Sequence, residues 1–260
     1  MVDWMHSLSI VSLVLVVCAG TALVTLAIHA IVDRLAAAGH RDALAAVSPG
    51  MLPPIALVFG LLVGFLAAEV WSNSTSAQEA VDKEASALRS VDLLDRAFPP
   101  ADQQQMDLLI RRYIERTVKR EWPAMARQHA TLRVAPPELA TALQAALSLP
   151  AGNPGQVVAQ REIVTSLEAA FDARRQRIII SGSAVNSAKW AGVIGLGIVT
   201  LIAIACVHSA NRRTSAIAMT LFALAIAVAL VMIGVQDRPF AGPYKVRPTP
   251  LIQVQPRIAT

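Results

Sequence analysis

The segment MLPPIALVFGLLVGFLAA, residues 51–68, contains no ionisable side chain. An α-helix rises about 1.5 Å per residue, so a run of this length approaches the thickness of a hydrocarbon core, about 30 Å. Three further runs of similar character cover residues 8–32, 190–207 and 216–235. A soluble protein of 260 residues rarely devotes so many uninterrupted apolar stretches to its core. The sequence therefore predicts a polytopic membrane protein.

The spacing of the four runs predicts an all-α membrane protein in which the spans form two hairpins. Only short polar segments join the spans of each pair, whereas a long segment of ordinary soluble composition separates the pairs. We expect that segment to form a helical soluble domain inserted between the second and third spans. The predicted boundaries are 1–71 for the first hairpin, with spans at about 8–32 and 51–70; 72–189 for the helical domain; 190–236 for the second hairpin, with spans at about 190–207 and 216–235; and 237–260 for a short extended tail.

Helical periodicity runs through the inserted segment. Val81, Ala85, Leu88 and Val91 recur at helical spacing just after the second span, which predicts that this helix continues beyond the membrane. Residues from Met106 to Val118 repeat the same pattern with charged residues on the opposite face.

The tail after residue 236 has a different character, because its repeated prolines, Pro250 among them, exclude a helix. Its apolar residues predict short extended pieces that could pair along an edge. These residues are Tyr244, Val246, Leu251, Ile252 and Val254.

Charge and composition narrow the functional class. The formal net charge is +5, but the charges are mixed in sign along the chain, so we expect no nucleic-acid partner. Cys18 and Cys206 lie inside apolar runs and predict neither a disulfide framework nor a metal site. No motif for catalysis, cofactor binding or phosphate binding occurs, so we expect no enzyme and no cofactor. Basic residues flanking the spans favour both termini and the helical domain on the cytoplasmic side of the membrane.

Polar residues form a stripe along the first span. Thr21, Thr25, His29 and Asp33 recur every four residues and therefore share one helix face. Polar groups at membrane depth face a bundle interior or a water-filled cavity. The stripe is consistent with a polar permeation or proton path, in which His29 senses pH. The other interpretation is hydrogen bonding between helices, or from threonine to the carbonyl four residues back.

The second span offers a candidate constriction. Its bulky side chains fit a hydrophobic gate around a pore, although packing against neighbouring helices is the alternative use. These side chains are Phe59, Leu62, Phe65 and Leu66, and Glu69 follows at the membrane exit. A ring of Glu69 carboxylates would favour cations, whereas a single interfacial glutamate would have no such role.

Several short motifs lie in and between the predicted spans and in the tail. They are Gly64-Phe65 through Trp71, then Ala80, Glu84-Ala85 and Leu88; Tyr113; Glu121-Trp122-Pro123-Ala124-Met125-Ala126; Arg174 to Arg177; Trp190; and Asp237-Arg238-Pro239-Phe240-Ala241-Gly242. With these motifs the chain, from about Phe59 to its end, resembles a family of mainly bacterial membrane proteins described as bestrophin-like. We expect most of the motif residues to be architectural. These residues are Glu84, Tyr113, Glu121, Trp122, Pro123, Trp190, Asp237, Arg238, Pro239, Phe240 and Gly242.

The resemblance implies a function. Bestrophins are pentameric anion channels gated by calcium, with second helices that line the pore. We therefore expect a homo-oligomer in a lipid bilayer that conducts small ions, although no acidic cluster here resembles a calcium clasp. The alternative hypothesis is a membrane-anchored scaffold whose helical domain binds a cytoplasmic partner.

Overall fold

A computed structural model of the chain describes residues 9–40, 43–44, 46–47 and 49–256. Within those residues every regular element is a helix, and no strand occurs. The α-helices are α1 (Ile10–Leu35), α2 (Leu52–Leu94), α3 (Pro100–Arg116), α4 (Trp122–Ala126), α5 (Pro137–Leu147), α6 (Pro154–Ser181), α7 (Ser187–Val207), α8 (Arg212–Gln236) and α9 (Thr249–Gln253). The predicted start of the first span at Leu8 and the last four residues of the tail lie outside the described ranges.

Contacts divide the chain into two compact units. The first, which we call the membrane unit, contains the chain up to Trp71 together with Ala184–Asp237. The second, the helical unit, contains Ser72–Ser183 together with the chain from Arg238 onward. The predicted domain boundaries and the pairing of spans into hairpins stay predictions.

The membrane unit contains the apolar helices. Over the described residues, four helical stretches are long and apolar enough to cross a membrane. They are Ile10–His40, Pro49–Ala97, Ser187–Val207 and Arg212–Gln236. Leucines such as Leu23 and Leu26 of α1 lie exposed on the surface of the unit. Such a surface is stable against lipid and not against water, so the prediction of an all-helical chain with four apolar helices of spanning length is confirmed.

Helix α2 is a single helix of 43 residues, so the predicted continuation beyond the apolar run is confirmed. Nothing in its sequence interrupts the backbone hydrogen bonding after Pro54, and both Pro53 and Pro54 lie in the first turn, where a missing N–H costs little. A short 3₁₀ turn, Asp95–Ala97, ends the helix before the prolines that begin α3.

The helical unit packs around one apolar core. Leu88 of α2, Ile110 of α3, Leu139 of α5 and Ile163 of α6 are all fully buried in it. Local signals position α6: the Asn153 side chain accepts a hydrogen bond from the Gln156 N–H, and Pro154 occupies the first turn. The core therefore joins helices that are distant in sequence.

The prediction of extended pieces in the tail was wrong for Leu251 and Ile252. Both lie in α9, which places Pro250 in its first turn, where proline is pre-organised for a helix. Leu251 is fully buried in the core of the helical unit. Tertiary packing of this one side chain therefore favours a short helix over an extended segment.

The core predicts a contrast between two leucines of α5. Leu139 is 0% exposed, whereas Leu147 on the same helix is 63% exposed. We expect Leu139→Ala to lower the free energy of unfolding by about 2–5 kcal/mol, because it removes buried surface and leaves a cavity. Leu147→Ala should change it by no more than about 0.5 kcal/mol. Thermal unfolding of the detergent-purified chain measures both, and equal losses would contradict this core.

Candidate functional site

A fully buried ion pair lies at the centre of the helical unit. Arg177 of α6 and Glu84 of α2 are both 0% exposed. The Arg177 Nε donates to Glu84 Oε2 at 2.7 Å, and its Nη2 donates to Oε1 at 3.1 Å. The Tyr113 hydroxyl of α3 donates to the same Oε1. This bidentate pairing compensates the charges that burial removes from water.

Two more charged residues extend the pair into an alternating cluster. Glu121 accepts from the Arg177 Nη2 at 3.2 Å and from the Arg174 Nη2 at 2.7 Å. Two carboxylates and two guanidinium groups therefore alternate as Glu84, Arg177, Glu121 and Arg174. We call these four residues, with Tyr113 and Trp122, the ion cluster. Its formal charges balance, as burial in a low-dielectric interior requires.

Local backbone geometry positions Glu121 and Trp122. Thr117–Glu121 forms a π-helical turn, in which the Trp122 N–H donates to the Thr117 carbonyl. Pro123 follows in the first turn of α4 and has no backbone N–H to donate. The wider π-helical turn lets the N–H of the preceding residue, Trp122, reach a carbonyl five residues back, so fewer carbonyls are left without a donor. Sequence analysis did not predict this turn, which lies between two helical segments.

An aromatic group covers the cluster on one side. The Arg177 Cζ lies 5.0 Å from the centroid of the Trp122 ring, which is a cation–π distance. Trp122 meets Phe240 edge to face at 5.6 Å, and its Nε1–H donates to the Val246 carbonyl at 3.2 Å. The tail therefore closes over the ion cluster through one aromatic contact and one hydrogen bond.

A turn in the tail makes that closure possible. The Val246 N–H donates to the Pro239 carbonyl at 2.8 Å, which folds the intervening segment back on itself. Gly242 has a φ of +78°, a left-handed conformation that glycine adopts without steric strain. Pro239 and Gly242 thus take part in the turn that follows Phe240, and their architectural role stays a prediction.

The surroundings of Arg177 and Tyr113 shift the pKa of each group. Burial alone lowers the pKa of Arg177, but the Glu84 carboxylate and its hydrogen bonds outweigh burial and raise the pKa above its usual value. Burial, and then the adjacent Glu84 charge, raises the pKa of Tyr113 well above its usual value. Arginine stays charged and tyrosine stays neutral near pH 7, so neither exchanges a proton in ordinary conditions.

The structure thus brings together Glu84, Tyr113, Glu121, Trp122 and Phe240, which sequence analysis had only grouped as motif residues. Arg177 and Arg174 were quoted with the motifs but were not singled out. A signal for them exists in the sequence: they continue the helical spacing of the buried residues on α6. Those residues are Ile163, Leu167, Ala170, Arg174 and Arg177.

The remaining motif residues Trp190 and Asp237 lie in the membrane unit. Trp190 is buried near the start of α7. The Asp237 carboxylate, at the end of α8, accepts a hydrogen bond from the Val185 N–H at 2.6 Å. Arg238 follows directly and begins the second segment of the helical unit.

The predicted polar stripe of α1 is largely bonded within the membrane unit. The hydroxyls of Thr21 and Thr25 each donate to the carbonyl four residues back at 2.8 Å. The His29 Nε2 lies 3.5 Å from Asp33 Oδ2, and the Arg212 Nε lies 2.8 Å from that oxygen. Thr21 and Thr25 therefore make the threonine-to-carbonyl hydrogen bonds that sequence analysis gave as the alternative to a polar path.

The candidate residues of α2 fall on different faces. Phe59 packs against Phe222 with ring centroids 5.4 Å apart, Leu66 is buried, and Leu62 is half-buried. Phe65 is 70% exposed. Glu69 is paired with the Lys189 ammonium at 2.5 Å. No group of three or more histidine, cysteine, aspartate or glutamate residues that could hold a metal occurs among residues 9–256 where they are described.

Four helices of spanning length and a separate helical unit define an integral membrane protein of all-α architecture. A family model for the bestrophin-like domain matches residues 19–251, and the chain belongs to the bestrophin-like family. The matched region begins at residue 19, well before Phe59, from which the sequence motifs had indicated the resemblance. No curated protein matches the chain in sequence.

Solved structures show the same fold. A crystal structure of a bacterial bestrophin homologue from Klebsiella pneumoniae, carrying a mutation, matches with a TM-score of 0.70 at 8% identity, covering 93% of this chain and 97% of that one. Another crystal structure of a bestrophin homologue from that organism gives 0.67 at 10% identity, covering 90% and 94%. Similarity in structure at such low identity shows that the fold is shared.

The ion cluster predicts a contrast between two arginines of α6. Arg177→Met leaves Glu84 buried without its partner, so we expect a loss of about 3–5 kcal/mol in the free energy of unfolding. Arg175→Met, on the exposed face of α6, is the matched control and should cost no more than about 0.5 kcal/mol. Thermal unfolding of the purified variants measures both. A loss at Arg177 as small as at Arg175 would show that the pair is not needed.

Proposed function

We propose that the protein is an oligomeric ion channel of the bacterial inner membrane, with α2 arranged around the pore. The observation that carries this proposal is the match in fold to a bacterial bestrophin homologue over 93% of the chain. Membership of the bestrophin-like family supports it, since bestrophins are channels rather than enzymes. The basic residues flanking the spans support a helical unit and termini on the cytoplasmic side.

Side chains of α2 in the membrane unit support a pore role for one face of this helix. Phe65 and Leu61 are large and exposed on the single chain. In a ring of copies, one exposed face of each α2 can turn toward the axis and narrow the path by dewetting. Phe59 and Leu66 are packed inside the subunit, so Phe65 is the side chain that we propose forms the constriction.

The charge at the membrane exit is reduced within the subunit. Glu69 pairs with Lys189 through two short contacts, 2.5 and 2.6 Å, from the ammonium to its carboxylate oxygens. A ring of Glu69 side chains would therefore carry paired charge. We do not assign ion selectivity to Glu69.

In the helical unit, α2 exposes a polar series at alternating spacings of three and four. The series consists of Ser72, Thr75, Glu79, Asp82 and Ser86. Hydroxyl and carboxylate groups at this spacing share one helix face and suit a hydrated ion path. This observation supports the continuation of a polar path along α2 outside its apolar run.

A scaffold role is the second candidate. Val157 and Val158 of α6 and Leu147 of α5 are exposed aliphatic residues in the helical unit, where lipid cannot cover them. These residues fit a contact with another protein. If purified protein conducts no ions while cross-linking of the full chain returns one reproducible cytoplasmic protein, the scaffold proposal replaces the channel.

Ion flux through reconstituted protein tests the channel. We expect purified chain in liposomes to be oligomeric and to pass ions, and Phe65→Ala to raise the flux several-fold because it widens the constriction. Leu221→Ala, an exposed residue of α8, is the matched control and should leave the flux unchanged. A monomeric mass in detergent, with no flux of anions, cations or protons, would overturn the proposal.

A further inference from the structure

Two aspartates at the junction of α2 and α3 carry buried oxygens without a hydrogen-bond donor. Asp95, in the turn that ends α2, is only 3% exposed, and its Oδ2 is buried and unpartnered. Asp107, two turns into α3, has a buried and unpartnered Oδ1. A buried carboxylate oxygen without a donor is costly, so these two positions need an explanation.

The Arg96 backbone N–H donates to the Asp95 carboxyl group, but the side-chain donors near this turn are used elsewhere. The Gln103 amide donates to the Phe98 carbonyl at 2.7 Å, and the Gln156 amide of α6 donates to the Ala97 carbonyl at 2.9 Å. The Arg96 guanidinium lies 3.7 Å from Asp92 and is mostly exposed. Neither amide therefore reaches the buried carboxylate oxygens.

The charges that act on Asp95 are Asp107 of α3, Asp92 of α2 and Arg96 of the turn itself. No charged side chain of α6, the other helix against this turn, acts on it among the described residues. Two carboxylates thus oppose one exposed guanidinium. An ionised Asp95 would add a third negative charge to a buried position.

We propose that the buried Asp95 carboxyl group holds a proton in the folded chain, and that loss of this proton loosens the turn joining α2 to α3. A protonated carboxyl group is a donor as well as an acceptor. A proton on Asp95 therefore removes a buried negative charge that the neighbouring carboxylates also disfavour, and it turns the unpartnered oxygen into an O–H. Among the described residues only Asp95 and Asp107 present unpartnered carboxylate oxygens at this turn, and no group of three or more residues that could hold a metal ion occurs among them, so the ligand is a proton rather than a metal ion.

The electrostatics agree with this geometry. Burial, then the charges of Asp107 and Asp92, raises the pKa of Asp95 to about 7. Burial and the Asp92 charge also raise the pKa of Asp107. The folded turn thus holds a proton that the unfolded chain releases near pH 4. Its relative stability falls as the pH rises from about 4 to about 7, and it stays low above pH 7.

Infrared pH-difference spectroscopy of the detergent-purified full chain observes the proton directly, since a protonated carboxyl group has a carbonyl band that a carboxylate lacks. We expect this band to disappear with a midpoint near pH 7. Asp95→Asn keeps the size and a donor and should abolish the transition. Asp107→Asn removes the adjacent charge and should lower the midpoint by about one pH unit.

Asp172→Asn, an exposed position of α6, is the matched control and should leave the transition unchanged. As the pH rises from 5 to 8, the melting temperature of Asp95→Asn should increase relative to that of the unmodified chain. The proposal is overturned if the unmodified chain and Asp95→Asn show the same infrared titration. It is also overturned if the band is lost only when magnesium or calcium ions are added, because the site would then bind a metal.

Discussion

The helical unit depends on the buried ion pair between Arg177 and Glu84. Helices α2, α3, α4 and α6 each contribute a side chain to its immediate surroundings, and the tail covers it through Phe240. Charges in such a position are tolerated only with good geometry and complete pairing, so the pair restricts how these helices can pack. We infer that apolar burial supplies most of the stability of the helical unit, and that the ion cluster restricts how its helices pack.

The two units place their apolar side chains in opposite ways. In the membrane unit, the backbone is satisfied inside helices and apolar side chains such as Leu23 face outward. In the helical unit, apolar side chains face inward, and its most demanding polar groups lie in the middle with their partners. Helix α2 takes part in both, because its 43 residues include an apolar run and a segment that carries Glu84. The first part of α2 therefore exposes apolar side chains, whereas its second part buries them.

The sequence predicted what depends on length, charge and periodicity. The apolar helices follow from runs without charge, and the continuation of α2 follows from its apolar spacing without a breaking residue. It did not predict which face of a membrane helix is covered, because Phe59 and Phe65 are both apolar and differ only in their neighbours. The partner of Arg177 is similarly invisible, since Glu84 lies 93 positions away. The helix at Leu251 was not predicted, because the neighbouring prolines argue against a helix and the burial of Leu251 cannot be seen in the local sequence.

A double-mutant cycle between Glu84 and Arg177 tests most directly whether this pair organises the helical unit. Unfolding would be measured for Glu84→Gln, Arg177→Met and the double variant in the same detergent. The account predicts a coupling energy of several kcal/mol, with the double variant far more stable than the sum of the single losses implies, because no buried charge is left unpaired. Losses that add independently would contradict it.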